Sequence, residues 1–508
     1  MKRHVIAFSM IALILLVYPV KGQCYTVDLG GQVSSLFVLR DTNGFQYGFM
    51  DNLYGVQWRN TLDFQLTLKP ENLGQPSVYV EQVFLAYRGA YDAIFAMRRD
   101  AFDNIVEKER DDFEIGKDDV EWTNDLREGF VDLVARGGTQ KVNLRLGRQI
   151  VRWGETDSLT IINVVNPPDY SYQLAFSNPD DLAIPLWMGR LDYTVEGLGF
   201  MDSCGIQLLA IPDIRPTQLA PLSGKDGFAN FDAPYAYTLA GLDGIGITRI
   251  REDVADHTFE NMEYGISVSA DIGALSASLH YFTGFQDSPA VDWSNYALFM
   301  APLSFGLPPG SFGGVPELTN THPRQRVLGY SFNYFVEFAN LVLRGEGAYT
   351  NEMYLMETPA LSNGFDLTFI EPATVYHNLL GFDKDLHPSW IGTTSALSCG
   401  FEWIWRHVND WETNPTLHPS DKEDTHIFTT LLYTDYYNGR IKPTVMAMYD
   451  TEGAWMTNAS LKYDHDGKWL FTLAQSSFWG NDNAISGFSV GGAMIKSSET
   501  SFKVTYRF

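Results

Sequence analysis

Strict alternation of polar and apolar residues recurs along this chain and constrains its fold more than any other feature. Along residues 501–508 every second residue is apolar, from Phe502 to Phe508, and residues 56–69 show the same pattern. Side chains in a β-strand point alternately to opposite faces, so each such segment predicts a strand with one apolar and one polar face. In residues 56–69 the polar face carries Arg59 and Asp63. The sequence therefore predicts an all-β protein.

Eighteen segments of this kind have nearly the length of about 9–11 residues that a tilted strand needs to cross a bilayer. The predicted strands cover residues 27–39, 56–69, 77–91, 129–136, 141–151, 187–196, 204–211, 263–273, 275–285, 326–335, 338–350, 375–383, 390–406, 426–435, 441–449, 454–464, 469–478 and 501–508. A sheet in hydrocarbon must close to pair its edges. We therefore predict a transmembrane antiparallel up-and-down β-barrel of about 18 strands.

Connection lengths favour the barrel over a soluble sandwich or propeller. Short and long connections alternate along the chain, as they do between periplasmic turns and outer loops. Outward aromatics such as Trp403, Trp405, Tyr463 and Tyr506 would need a covering sheet in a soluble fold but form an interfacial girdle in lipid. The alternation of lengths requires residues 375–383 to be a strand, and because that segment is weak, 16 strands is the alternative.

The first residues of the chain resemble an export signal. A basic start, Met1 to His4, precedes an apolar stretch over residues 5–17 that is too short for a stable membrane anchor. Val20 and Gly22 fit the small-residue cleavage rule, so we predict a signal peptide over residues 1–22 and a barrel domain over residues 23–508. Cys24 suggests a lipoprotein, but Lys21 and Gln23 occupy positions where lipid attachment needs other residues.

Charge and cysteine content exclude several classes of protein. The formal net charge of −26 argues against nucleic acid as a partner, because phosphate binding needs clustered Lys and Arg. The three cysteines, Cys24, Cys204 and Cys399, are far apart and odd in number, so they predict neither a disulfide framework nor a metal site. We expect no cofactor.

One stretch carries a family resemblance. Residues 144–157 contain Gly147-Arg148-Gln149 and Trp153-Gly154-Glu155, and Asn166-Pro167 follows shortly after. These residues, with the later run from Leu380 to Asp383, resemble the outer-membrane proteins designated domain of unknown function 1302. The resemblance implies an outer-membrane barrel that works with a periplasmic lipid carrier and an inner-membrane exporter on hydrophobic or lipid-like cargo.

The same stretch enters the third outer loop, the one that narrows the pore of general porins. The predicted lumen constriction comprises Arg145, Arg148, Gln149, Arg152, Trp153, Glu155 and Asp157. Charges of both signs there would create a transverse field that orients dipolar solutes. The alternative is that the glycines permit a bend and the ion pairs brace the wall.

The polar faces of other strands predict a lumen wall. Its expected members are Arg59, Asp63, Arg344, Glu346, Glu402 and Arg406, and Lys462, Lys503 and Arg507 also face inward. Basic residues outnumber acidic ones on this face. That excess of basic residues is compatible with an ion-selective lumen and also with a wall braced by Arg–Glu pairs.

Weaker signals point to other chemistry. A run of carboxylates comprising Asp111, Asp112, Glu114, Asp118, Asp119 and Glu121 could hold calcium or bridge lipopolysaccharide, although a solvated acidic loop gives the same pattern. The Gly-x-Ser-x-Gly string around Ser489 lacks a later histidine. A barrel hydrolase would need a lumen histidine such as His280 or His377 with a serine partner. We therefore expect no catalytic residues.

The sequence as a whole predicts an outer-membrane channel or porin-like protein. Its expected partners are outer-membrane lipid, lipopolysaccharide and the barrel insertion machinery, which would recognise Tyr506 and Phe508 as a terminal insertion signal. A non-conducting barrel that acts as receptor, adhesin or anchor is the alternative. Conductance in a planar bilayer distinguishes the two.

Overall fold

A computed structural model describes residues 25–41, 53–70, 77–97, 121–154, 161–171, 179–218, 249–292, 294–354, 372–392, 395–409, 423–480 and 498–508. The strands are β1 (Tyr25–Asp41), β2 (Leu53–Pro70), β3 (Val78–Asp92), β4 (Trp122–Gly137), β5 (Gln140–Gln149), β6 (Leu186–Leu198), β7 (Met201–Ile211), β8 (Arg249–Asp253), β9 (Glu263–Ile272), β10 (Leu275–Phe285), β11 (Ala290–Asp292), β12 (Glu317–Thr321), β13 (Arg324–Val336), β14 (Leu341–Met353), β15 (Ala373–Leu386), β16 (Leu397–Val408), β17 (Asp424–Tyr433), β18 (Ile441–Asp450), β19 (Ala454–Asp464), β20 (Trp469–Gly480) and β21 (Ser498–Arg507). Short helices cover Ile94–Met97, Pro179–Leu182 and Ser294–Met300, and 3-10 turns cover Ala301–Phe305, Glu337–Ala339 and Ser389–Ile391.

Eighteen of these strands form one closed antiparallel barrel. Each barrel strand pairs with the next one along the chain, and β1 pairs with both β2 and β21, so the sheet has no free edge. The remaining strands β8, β11 and β12 form a small separate sheet between barrel strands. The predicted fold class and strand number are confirmed. The weak segment 375–383 lies within β15, which pairs with β14 and β16.

Side chains along each barrel strand alternate between an outer, lipid-facing surface and an inner surface. Leu62, Leu473 and Phe502 point outward and are about half exposed, whereas their neighbours along the strands point into the barrel. Aromatic side chains pack together on the outer face near the short turns, as Trp469 does against Tyr506 at a centroid distance of 4.8 Å. The barrel is therefore of the outer-membrane type.

Among the described residues, none of the helices has the length and hydropathy needed to cross a bilayer. The first 24 residues lie outside the described part of the chain.

Several predicted strand boundaries were wrong. The strand predicted over 390–406 begins at Leu397, because residues 389–391 form a 3-10 turn that leaves Trp390 exposed. The strand predicted over 338–350 likewise begins at Leu341, after the 3-10 turn Glu337–Ala339. The segment at 129–136 extends back to Trp122, which shortens the preceding loop. Apolar residues in these turns continue the alternating pattern beyond the true start of the strand.

Candidate functional site

The described part of the connection between β5 and β6 lies inside the barrel. Its described residues, 150–154, 161–171 and 179–185, are called the inner loop below. Val151, Ile162 and Val165 in this loop are almost completely buried, with exposed fractions of 2%, 0% and 1%. A loop on the outer surface could not bury apolar side chains so fully, and these residues pack against inward-facing residues of the wall.

The inner loop and the wall together form one apolar cluster, called the septum below. From the inner loop it contains Val151, Trp153, Ile161, Ile162, Val165 and Ile184, and from the wall Leu186, Met188, Leu209, Ile211, Phe282, Val327, Ala348, Leu379, Ile404, Ile427, Met448, Met456 and Phe478. The wall residues come from strands on much of the barrel circumference, from β6 round to β20. The septum thus follows the inner wall from β6 round to β20, with the inner loop packed against part of it.

Two hydrogen-bonded contacts fix the inner loop to distant strands. Glu346 of β14 accepts hydrogen bonds through Oε1 from the backbone N–H groups of Ile161 at 3.1 Å and Ile162 at 2.6 Å. On the other side, Trp153 donates its indole N–H to Oε1 of Gln207 in β7 at 2.8 Å. These contacts satisfy polar groups that would otherwise be buried without partners.

Asn166 joins the two ends of the inner loop. Its side-chain oxygen accepts a hydrogen bond from the N–H of Val151 at 2.8 Å, and its amide donates to the carbonyl of Ile184 at 2.8 Å. The backbone N–H of Ile184 also donates to Pro167 O at 2.8 Å. In the same loop, burial raises the pKa of Asp169, and hydrogen bonds from Ser171 oppose that shift. The Asn-Pro pair is therefore a structural element of the septum.

Glycines in the wall make room for the loop. A Cβ at Gly329 of β13 would lie 2.0 Å from Cδ1 of Ile162, and one at Gly265 of β9 would lie 2.7 Å from Cη2 of Trp153. Gly154 has a φ of +87°, and a Cβ there would meet Oε2 of Glu346 at 2.5 Å. These glycines permit a close approach that no other residue allows.

Replacing Gly329 with leucine should therefore displace the inner loop. The new side chain would claim the space that Ile162 fills, and the loop can yield more easily than the hydrogen-bonded wall. We expect faster cleavage of the loop by added protease, with the barrel itself still resistant. Gly30, whose Cβ would meet nothing within 4 Å, provides the matched control variant Gly30→Leu. Equal protease resistance in both variants would contradict this interpretation.

The predicted constriction residues are only partly brought together. Arg145 forms a bidentate pair with Asp132 at 2.7 and 2.9 Å, whereas Arg148 pairs with Asp125 at 3.0 Å and donates to Pro185 O at 3.0 Å. Arg145 and Arg148 would face opposite sides in a regular strand. Gly147 between them has a φ of +142°, which interrupts the alternation and lets both reach interior carboxylates.

The other predicted constriction residues have separate positions. Gln149 is completely buried and donates to Met188 O at 3.3 Å, while Trp153 belongs to the septum. Arg152 is exposed. Glu155 and Asp157 lie outside the described residues, so the transverse field remains a hypothesis. The described arginines on this side of the barrel are paired with carboxylates, as expected of a braced wall.

The predicted wall residues lie on the inner face. Asp63 accepts hydrogen bonds from Gln32 and Arg88, and Arg88 also reaches Asp181 of the inner loop at 2.8 Å. Arg59 is buried and donates to Thr123. Across the barrel Arg344 pairs with Asp383 and Glu402, and Arg406 is buried on β16.

Sequence reasoning missed the apolar part of the lumen. Ile404 lies on the face that Glu402 and Arg406 predict to be polar, and Ile427 and Met448 are buried on the inner faces of the next two strands. Runs such as Trp403-Ile404-Trp405 are typical of strands buried on both sides. That signal could have indicated a filled lumen.

The weaker chemical predictions are mostly not supported by clustered residues. The acidic run at 111–119 and Ser489 lie outside the described residues. His280 is buried beside Trp153 and contacts Ser278 at 2.8 Å, and His377 lies on the inner face of β15. His407, Glu423 and Asp424 bring possible ligand atoms within 4.8 Å of one another. Asp424, however, already accepts hydrogen bonds from Trp405 and is paired with His407.

Known structures show a similar barrel at very low sequence identity. OpdK from Pseudomonas aeruginosa matches with 9% identity and a TM-score of 0.44 over 95% of this chain and 98% of its own. OccAB1 from Acinetobacter baumannii matches with 10% identity and a TM-score of 0.47 over 95% of this chain and 96% of its own. Salmonella typhi OmpF in complex with daunomycin matches with 10% identity and a TM-score of 0.40 over 95% of this chain and 97% of its own. These likenesses concern the general fold alone.

No curated protein matches the chain. A family model does match, over residues 61–508, and its description is protein of unknown function, DUF1302. That range includes the Gly-Arg-Gln, Trp-Gly-Glu and Asn-Pro stretches of the inner loop and every barrel strand except β1 and the beginning of β2. The chain therefore belongs to the DUF1302 family.

Proposed function

We propose that this protein is an outer-membrane channel for apolar or amphipathic solutes, with the septum as its selective region. The observation that carries the proposal is the apolar cluster that the inner loop and the wall form inside the lumen. A water-filled porin lumen is lined by polar groups, because ions and sugars need them in place of water. An apolar constriction disfavours such solutes by dewetting and favours molecules that gain free energy by leaving water.

The difference in polarity between the two sides of the lumen supports the proposal of an amphipathic cargo. One side, from β1 to β5, carries paired charges such as Arg40 with Glu499 and Arg145 with Asp132. The other side, from β15 to β20, contributes Leu379, Ile404 and Met456 to the septum. A solute with one apolar and one polar side would find a matching surface on each side of the lumen.

Uptake by whole cells tests this proposal. We expect expression in a porin-deficient Gram-negative strain to increase entry of the apolar dye N-phenyl-1-naphthylamine far more than entry of the sugar raffinose. The reason is that only the dye can replace contacts of the septum with its own apolar surface. An empty vector and a general porin serve as controls. Raffinose entry equal to that through the general porin would contradict the proposal.

A non-conducting barrel is the second candidate. It is favoured by the near-complete burial of the septum side chains, since a filled lumen passes neither ions nor solutes. In that case the purified protein would give no current in a planar bilayer and no uptake of dye. The periplasmic carrier, the inner-membrane exporter and the insertion signal at Tyr506 and Phe508 remain proposals that follow from the family resemblance.

A further inference from the structure

Three of the four adjacent strands β18 to β21 carry a lysine at neighbouring positions on the inner face, and β20 carries a threonine there. Lys442 of β18 pairs in register with Lys462 of β19, Lys462 pairs with Thr472 of β20, and Thr472 pairs with Lys503 of β21. Leu461, Leu473 and Phe502, their sequence neighbours, are the outward, half-exposed residues. The lysines therefore point into the lumen, at the end of the barrel that carries the short turns.

Arg507 adds a fourth cation to this group, which is called the basic row below. Lys462 lies among the like charges of Arg507, Lys442 and Lys503, and the carboxylate of Asp464 lies near it as well. The carboxylate of Asp464 already accepts a hydrogen bond from the backbone N–H of Gly467 at 2.6 Å. Like charges directly opposite each other on neighbouring strands destabilise a sheet.

The basic row differs from the other described cations of the lumen. Arg40, Arg88, Arg145 and Arg344 each form an ion pair with a carboxylate on a neighbouring strand. Among the described residues, the cations of the basic row form no ion pair within 4 Å. A wall that only needed bracing would set opposite charges side by side, as these four arginines and their carboxylates do.

We infer that the basic row binds the anionic head group, a phosphate or carboxylate, of an amphipathic molecule. Three ammonium groups and a guanidinium on one concave surface supply several donors for charged oxygens. Thr472 adds a hydroxyl in the middle of the row. The low-dielectric wall concentrates the field of these charges in the lumen. This inference deepens the proposed function, since the apolar remainder of such a molecule would then extend toward the septum.

The inference is tested by calorimetric measurement of octyl phosphate binding to the full-length protein in a non-ionic detergent. We expect the double variant Lys462→Gln, Lys503→Gln to bind about a hundredfold more weakly, because two charge-assisted contacts are lost and each contributes about tenfold. Octanol should bind equally to both proteins. Removal of like charges from neighbouring strands does not weaken the barrel, and unchanged heat-modifiable migration on gels verifies folding.

The matched control is Lys141→Gln. Lys141 lies on the same face of β5 as Arg145 but beside Glu81, at 3.9 Å, so its loss changes the net charge without touching the basic row. The affinity of the protein for inorganic phosphate is measured as a second comparison. Equal affinity for inorganic and octyl phosphate would assign the row to free anions and overturn the inference, as would undiminished binding by the double variant. The assay requires no passage through the lumen, so it stands even if the barrel proves non-conducting.

Discussion

The variant Glu346→Leu should give a clearly larger single-channel conductance than the unchanged protein. Glu346 is buried and accepts hydrogen bonds from two successive backbone N–H groups of the inner loop, at Ile161 and Ile162. Leucine has a similar size but cannot accept them. Each hydrogen bond to a charged group contributes about 1.5–3 kcal/mol, and the two unpaired N–H groups would add a desolvation cost. The loop should therefore leave the wall and open the septum.

Glu346→Gln is the control for this experiment. Its amide oxygen can still accept both hydrogen bonds, so we expect a conductance close to that of the unchanged protein. The measurement is the distribution of current steps in a planar bilayer, with heat-modifiable migration to verify the barrel. Indistinguishable steps for the leucine variant would mean that the loop is held by other contacts or that the septum does not limit the current.

Arg145→Met should lower the free energy of unfolding by about 3–5 kcal/mol, the usual cost of removing one partner of a buried ion pair. The side chain of Asp132 is only 1% exposed and receives two hydrogen bonds from Arg145, at 2.7 and 2.9 Å. Gln82 donates one more, at 2.8 Å, which is too little to compensate a carboxylate. The guanidinium of Arg145 also lies 3.7 Å from the centroid of the Phe130 ring, and that contact would be lost as well.

A double-mutant cycle isolates the charge from the packing. The pair Arg145→Met with Asp132→Asn removes both charges, so we expect it to be less destabilised than the sum of the two single variants. The measurement is equilibrium unfolding in urea and lipid vesicles, followed by tryptophan fluorescence. Additive effects would show that Asp132 gains its stability elsewhere.

The sequence specified the barrel well because period-two alternation is a local property that each strand carries alone. Segment 375–383 is the exception. Its alternation is weak, but the order of long and short connections requires a strand there, and β15 covers it. Turns such as Ser389–Ile391 were misread because their apolar residues continue the pattern by chance. A strand boundary depends on hydrogen bonds to neighbours, which a single segment does not reveal.

The site was less predictable because it is made by contacts between distant residues. The sequence predicts that the third outer loop folds into the lumen, and its described residues, Trp153 among them, do lie there. Its partner Gln207, the recess at Gly265 and the acceptor Glu346 are brought near the loop only when strands β7 to β14 pair into a curved sheet. The position of Arg148 also depends on Gly147, whose φ of +142° interrupts the strict alternation of the strand.

The contact of Arg40 with Glu499 joins residues that are 459 positions apart. It lies where β1 meets β21, and every other barrel strand can pair with a neighbour in sequence as soon as that neighbour is made. Joining such remote segments has the greatest loop-closure entropy in the molecule. This junction should consequently form last during biogenesis, leaving a curved open sheet with two unsatisfied margins. A folding catalyst that occupies one margin until the other arrives would protect this intermediate from aggregation.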